Sequence, residues 1–245
     1  MRKAFTLIEL AIVMIIIGIL ISTILFASEF RRSAEVRATM KQILDYQIAY
    51  NNFQDRYESR PGDYKRAYDF WPDSCESEAF CNGNGNGLID TIKEAHLAWL
   101  HLANSGFVPG NFAGKGYGDD DTQKADYNAP YGHLQGTQVS LIYTNIDAFP
   151  STHYLIFGGH KESDLGYTAI ITPHHAARID GKLDDGTPNG MLLGRNGYID
   201  GDWDIAQCIV DESDTHLANT SDLEGASYYE NRGDSQECIL AFALE

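Results

Sequence analysis

Between Phe5 and Ala27 the chain is apolar except at Thr6, Glu9, Ser22 and Thr23, and no polar side chain interrupts Leu10 to Ile21. A helix needs roughly 20 such residues to cross a bilayer, and this run is long enough. Beyond it the apolar signal changes character instead of ending. Val36, Met40, Ile43, Tyr46, Tyr50, Phe53 and Tyr57 recur at spacings of three and four, the period of one helix face. No Pro or Gly falls between Ser22 and Arg60, and Pro61 and Gly62 of "RPGD" are stop signals. The pattern predicts one helix from Phe5 to about Tyr57, roughly 80 Å long at 1.5 Å per residue. Its first half suits lipid or a packed helical core, and its second half lays an aromatic stripe against a globular head.

Further along, "IDTIKEAHLAWLHLANSG" predicts an amphipathic helix with Ile92, Ala95, Leu97, Trp99, Leu100 and Leu102 on its apolar face and Gly106 at its end. Short β-branched or aromatic runs bounded by Gly, Pro or Asn predict strands in "TQVSLIYTN", "STHYLIFGG", "YTAIITP", "NGMLLG" and "CILAFAL". A long helix followed by several short strands gives an α+β fold with an antiparallel sheet.

Glu9 sits within the apolar run, where an ionised carboxylate costs roughly 2.5–3.5 kcal/mol unless it finds a partner. A secretory signal peptide would have a shorter apolar core and a small-residue cleavage site, which "LFASEF" fits loosely. The basic "MRKA", then "FTLIEL", then an apolar helix resembles the N-terminal signal of type IV pilins and type II secretion pseudopilins. The resemblance implies cleavage by prepilin peptidase between Ala4 and Phe5, with methylation of the new Phe5 amine. Family members usually have Gly where this chain has Ala4. It also implies that Glu9 meets the N-terminal amine of a neighbouring subunit, so that each helix brings a charge and a counter-charge. Paired, the two cost far less than either alone, and a subunit docked out of step leaves one unpaired. Less specifically, "FQDRYESRPGDY" and "ARIDGKLDDGTPNGMLLG" resemble segments of larger pilin-like proteins, with Arg60 where Leu is usual. The chain then divides into a leader (1–4), a membrane or filament-core half-helix (5–27), an amphipathic half-helix (28–58) and an extracytoplasmic head (59–245).

The resemblance implies an inner-membrane subunit, a minor pilin or pseudopilin, whose partners are prepilin peptidase, other subunits and the assembly platform. The alternative is a membrane-anchored periplasmic binding or adhesin domain that never polymerises. Charge narrows the partners further. With 18 Lys plus Arg against 35 Asp plus Glu, a formal net charge of −17, there is little material for a phosphate-binding face, and no nucleic-acid partner is expected. Arg2 and Lys3 precede the span while Arg31, Arg32, Arg37 and Lys41 follow it, so loop charges leave orientation open. Cysteine carries that information instead. Three pairings of Cys75, Cys81, Cys208 and Cys238 are possible; proximity favours Cys75 with Cys81 and Cys208 with Cys238. Disulfides require an oxidising compartment, such as a periplasm or the cell exterior.

Among candidate chemistries, "NGNGNGLID" spaces Asn82, Asn84, Asn86 and Asp90 like oxygen ligands of a calcium loop, although Lys93 stands at the twelfth position and Glu94 one place late. A glycine-rich turn held by Asx hydrogen bonds is the plainer reading. The acidic stretches at Asp119, Asp120, Asp121 and Asp126, and at Asp200, Asp202 and Asp204, read as solvated loops. Asp180, Asp184 and Asp185 read as a turn. No catalytic motif is present: there is no HExxH, GxSxG or CxxC, His96 and His101 do not share a helix face, and His174 and His175 are expected in a loop. The chain is not expected to be an enzyme.

Overall fold

The computed structural model describes residues 6–114, 129–144, 151–159, 168–188, 192–196, 208–210, 226–229, 235–236 and 238–244. Helix α1 (Leu7–Tyr57) runs unbroken for 51 residues. It stops at Glu58, which takes the left-handed conformation (φ 50°) and donates its N–H to the Gln54 carbonyl. The helix therefore ends before the proline, not at it. Gly62 then turns the chain at φ +92°, where an added Cβ would lie 2.3 Å from the Glu94 carbonyl oxygen, so glycine alone fits.

The distal half of α1 buries Val36, Ile43, Tyr46, Tyr50 and Phe53, together with Thr39. Thr39 escapes a hydrophobic pattern, but its hydroxyl donates to the Glu35 carbonyl at 2.9 Å, which satisfies it inside the core. A short helix α2 (Ala67–Phe70) leads to the Cys75–Cys81 disulfide. Helix α3 (Ile92–Asn104) begins at Thr91, whose side chain accepts from the Glu94 N–H. It is buried on all sides from Glu94 to Leu102, and Ile92, expected on the apolar face, is 44% exposed. Glu94, His96 and His101 are buried in its place. The amphipathic expectation fails because α3 is covered by α1 on one hand and by the sheet on the other.

The sheet has the order β1 (Gln138–Thr144), β2 (Thr152–Gly158), β6 (Cys238–Leu244), β3 (Leu192–Asn196), and every neighbouring pair is antiparallel. Leu155 of β2 opposes Leu141 of β1 and Phe242 of β6, and Phe242 opposes Leu192 of β3. Tyr154, Leu155, Ile156 and Phe157 are all buried, so both faces of this central strand are covered. That explains a continuous apolar run in an antiparallel sheet. Strands β4 (Ile209–Val210) and β5 (Ser227–Tyr228) form a separate pair, tied to β6 by Cys208–Cys238.

Helix α4 (Pro173–Leu183) corrects two expectations. His174 and His175 are helical, not in a loop. "YTAIITP" is not a strand; Thr168 and Ile171 make isolated bridges. Thr172 caps α4 by accepting the His175 N–H, and Pro173 supplies a preset first helical position. That start signal was present in the sequence but was hidden by the β-branched run before it. The α+β architecture holds: a long helix packed on an antiparallel sheet, with α3 against β1 and α4 against β3, β6 and α1.

Candidate functional site: the N-terminal end of the long helix

Thr6 and Glu9 form a capping box at the start of α1. The Thr6 hydroxyl accepts from the Glu9 N–H at 3.3 Å, while Glu9 Oε2 accepts from the Thr6 N–H at 2.9 Å and from the Thr6 hydroxyl at 2.6 Å. "TLIE" is a capping-box signature, a second role for Glu9 that the sequence contained. The other oxygen, Oε1, has no partner among the described residues. One carboxylate can thus cap its own helix and still present an oxygen to a cation. Ala4 and Phe5 lie outside the described residues.

From Leu7 to Ile24 every large apolar side chain stands open: Leu7 is 88% exposed and even Ile17, the least open, is 44%. The stretch is long and apolar enough to cross a membrane. In water each such side chain would leave roughly 1.5–3 kcal/mol of burial free energy unrealised, so this surface requires lipid or other helices. Just past it, Arg178 of α4 donates to Glu29 Oε1 at 2.7 Å and reaches toward the Ser33 hydroxyl at 3.5 Å. Hydrogen bonding from Arg178 holds the Glu29 carboxyl below its usual range. His175 Nε2 lies 4.0 Å from Glu35 Oε2. These contacts fasten the head to α1 near the point where the bare surface ends.

The asparagine loop is organised around a residue the sequence reading passed over. Asp63 Oδ1 accepts from the N–H groups of Gly85 (2.6 Å) and Asn86 (3.1 Å), and Oδ2 accepts from Gly87 at 2.8 Å. Successive amides therefore cradle a buried carboxylate. The Asn82, Asn84 and Asn86 side-chain oxygens accept from Tyr68, Asn86 and Leu88 N–H groups, and Asn86 donates to Asp90. As folded, the loop offers amide hydrogens to its neighbours and has already engaged its asparagine oxygens. The bonds from Asn84 and Asn86 to the amides two residues on are the Asx bonds of a glycine-rich turn. Asp119, Asp120, Asp121, Asp126, Asp200, Asp202 and Asp204 lie outside the described residues.

Asp180, Asp184 and Asp185 bring carboxylate oxygens within 4.8 Å of one another. Asp180 is fully buried, accepting from the Gly186 N–H and from the Tyr228 hydroxyl, and burial pushes its carboxyl up to about 6. His101 is structural. It accepts the Gly62 N–H on Nδ1 at 2.8 Å, and Nε2 lies 2.7 Å from the Cys81 carbonyl, so the turn after α1, helix α3 and the disulfide loop meet at one ring. Burial lowers its pKa to about 4.

Residues 1–25 match the family described as the prokaryotic N-terminal methylation motif. No curated protein and no solved structure matches the chain significantly. The match spans the basic leader, Glu9 and the bare part of α1, and it stops before the head begins. By that segment the chain carries the N-terminal signal of type IV pilins and pseudopilins.

Proposed function

We propose that this chain is a minor pilin or minor pseudopilin, a structural subunit and not an enzyme. The observation that carries this reading is an exposed apolar helix behind a methylation motif, with a single carboxylate at its start. Prepilin peptidase removes "MRKA" and methylates Phe5. The helix rests in the inner membrane as a single-pass anchor, with the disulfide-bonded head outside, until the assembly platform moves it into a filament. There the apolar surface exchanges lipid for neighbouring helices, and Glu9 Oε1 takes the amine of the next subunit while Oε2 keeps its cap. Acidic heads then face outward on a type IV pilus or a secretion pseudopilus.

Intact mass of the membrane-extracted protein, with and without coexpressed prepilin peptidase, tests processing: loss of four residues plus one methyl is expected. For assembly, Glu9→Val should insert normally and reduce incorporation into sheared filaments at least tenfold; equal incorporation would remove the pairing role. One observation favours a second reading, a static anchor that never polymerises. Glu9 already has a partner in its own chain at Thr6, so a lone helix does not leave it bare. A processed chain that stays in the membrane fraction when a filament system is active would support that reading.

A further inference from the structure

The distal end of α1 carries a feature that assembly does not use. Four of the 18 Lys and Arg residues, Arg56, Arg60, Lys65 and Arg66, fall within eleven positions of an otherwise acidic chain. Three of them line a mostly polar cleft of about 400 Å³ beside the rings of Tyr57 and Tyr64, within the range of small-molecule sites, roughly 300–1,000 Å³. Arg60 is fixed: Nε donates to the Tyr50 hydroxyl at 3.0 Å and one terminal nitrogen to the Gly87 carbonyl at 2.5 Å. Its remaining N–H donors, and the Lys65 ammonium, have no partner among the described residues. The Lys65 stem packs on Gly85, where an added Cβ would sit 3.0 Å from Cδ. Asp63 also lines the cleft, but the three amides of the 85–87 loop already engage its carboxylate. Glu58 stands at the wall, and Asp69 takes Arg66 in an exposed ion pair. Arg60, held by its two bonds, and the exposed Lys65 are therefore left as cations at the cleft with no ion-pair partner among the described residues.

The geometry points to a binding site for a carboxylated sugar, a uronic-acid unit of a polysaccharide, at this cleft. A guanidinium with unused terminal N–H donors and an ammonium suit a carboxylate. The polar lining suits hydroxyls, and the half-buried Tyr57 ring at the cleft wall suits the C–H face of a pyranose, while Tyr64 beside it packs into the core. The cleft lies roughly 45 Å along α1 from the end of the apolar span at 1.5 Å per residue, well clear of the membrane. The inference stands apart from filament assembly, since an anchored monomer would display the same cleft. It is tested by calorimetric titration of the full processed chain in lauryldimethylamine oxide with galacturonate and trigalacturonate at low salt, galactose and sulfate serving as controls. Saturable binding of the acidic sugars, weakened at least tenfold by Lys65→Gln at unchanged Tm and weakened by added salt, is expected. Galacturonate binding no better than galactose, sulfate binding as tightly as galacturonate, or Lys65→Gln retaining full affinity would each overturn it.

Discussion

Leu7–Ile24 and Val36–Phe53 belong to the same uninterrupted helix, yet they meet different surroundings. In the first stretch the large side chains are exposed on every face. In the second, Val36, Ile43, Tyr46, Tyr50 and Phe53 are buried and Met40 is half-buried along one stripe, while Leu44 and Ile48 remain open on the opposite side. Backbone hydrogen bonding is equivalent in both, so helix formation does not distinguish them. What differs is where the burial free energy comes from: from within the chain for the distal half, from outside it for the proximal half. One element thus serves a folded head and an apolar surface that the chain does not cover itself.

The sharpest way to break this comparison is to truncate one side chain in each half. Phe53 is fully buried, in contact with the rings of Tyr57 and Tyr64 and stacked on His101. Phe53→Ala should cost the head about 3–5 kcal/mol, the range for deleting a buried aromatic ring. Ile16→Ala should leave head stability unchanged. Denaturant unfolding followed by tryptophan fluorescence in detergent reads both, and a comparable loss from Ile16→Ala would show that the proximal half is not independent of the head. Smaller, but still a core effect, is Asp63→Asn. It would set an amide NH₂ against backbone N–H groups of the 85–87 loop and cost about 1–3 kcal/mol. By the same geometry, a calcium chelator should not shift the Tm; a fall would mean that the asparagine oxygens had exchanged their hydrogen bonds for a cation.

Much of this division is legible in the sequence because it is periodic. The apolar run, the stripe from Val36 to Tyr57, the strands at 138–144, 152–158 and 238–244 and the α+β class are written in side-chain spacing. The features that escape it are non-local pairings of polar groups. Asp63 reads as part of a turn until the 85–87 amides close over it, and His101 reads as an interruption of an apolar helix until Gly62 and Cys81 arrive from elsewhere. Arg60 reads as one charge of a turn until its bonds to the Tyr50 hydroxyl and to the Gly87 carbonyl, 27 positions away, are seen. At the asparagine loop the spacing of side-chain oxygens suits both an Asx turn and a calcium loop, because spacing carries no information on which way backbone amides turn.

Those buried polar groups make the head's stability respond to pH, whereas the apolar half has no comparable buried histidine. Burial holds both His101 and His153 at about 4, against an ordinary value near 6.5. Between those values the unfolded chain binds more protons, so their contribution is fully present above about pH 6.5 and is lost as pH falls toward 4. Asp180, raised to about 6, has the opposite sign: its folded form binds more protons, so stability is regained as pH falls from about 6 toward the unfolded value near 4. Two histidines against one carboxyl give a net loss on the order of 1–3 kcal/mol from pH 7 to pH 5. His101→Gln should flatten the Tm–pH slope and Asp180→Asn should steepen it. A slope unchanged by both variants would place the titration elsewhere.

The smallest expected effect lies where the two halves meet. Arg178 joins α4 to Glu29 at 2.7 Å, across the boundary between the bare and the covered parts of α1. Glu29 is exposed, so the pair is screened by salt and contributes little to global stability. Its consequence is positional. With the contact in place, α4 holds the head beside the first turn beyond the apolar span; without it, the distal stripe still anchors the head but the boundary loosens. Arg178→Ala should therefore leave the global Tm nearly unchanged while raising amide hydrogen exchange in residues 29–36 and in α4, and 0.5 M NaCl should reproduce much of that increase in the parent chain. Exchange unchanged in both segments would mean that apolar packing of α4 alone fixes the junction.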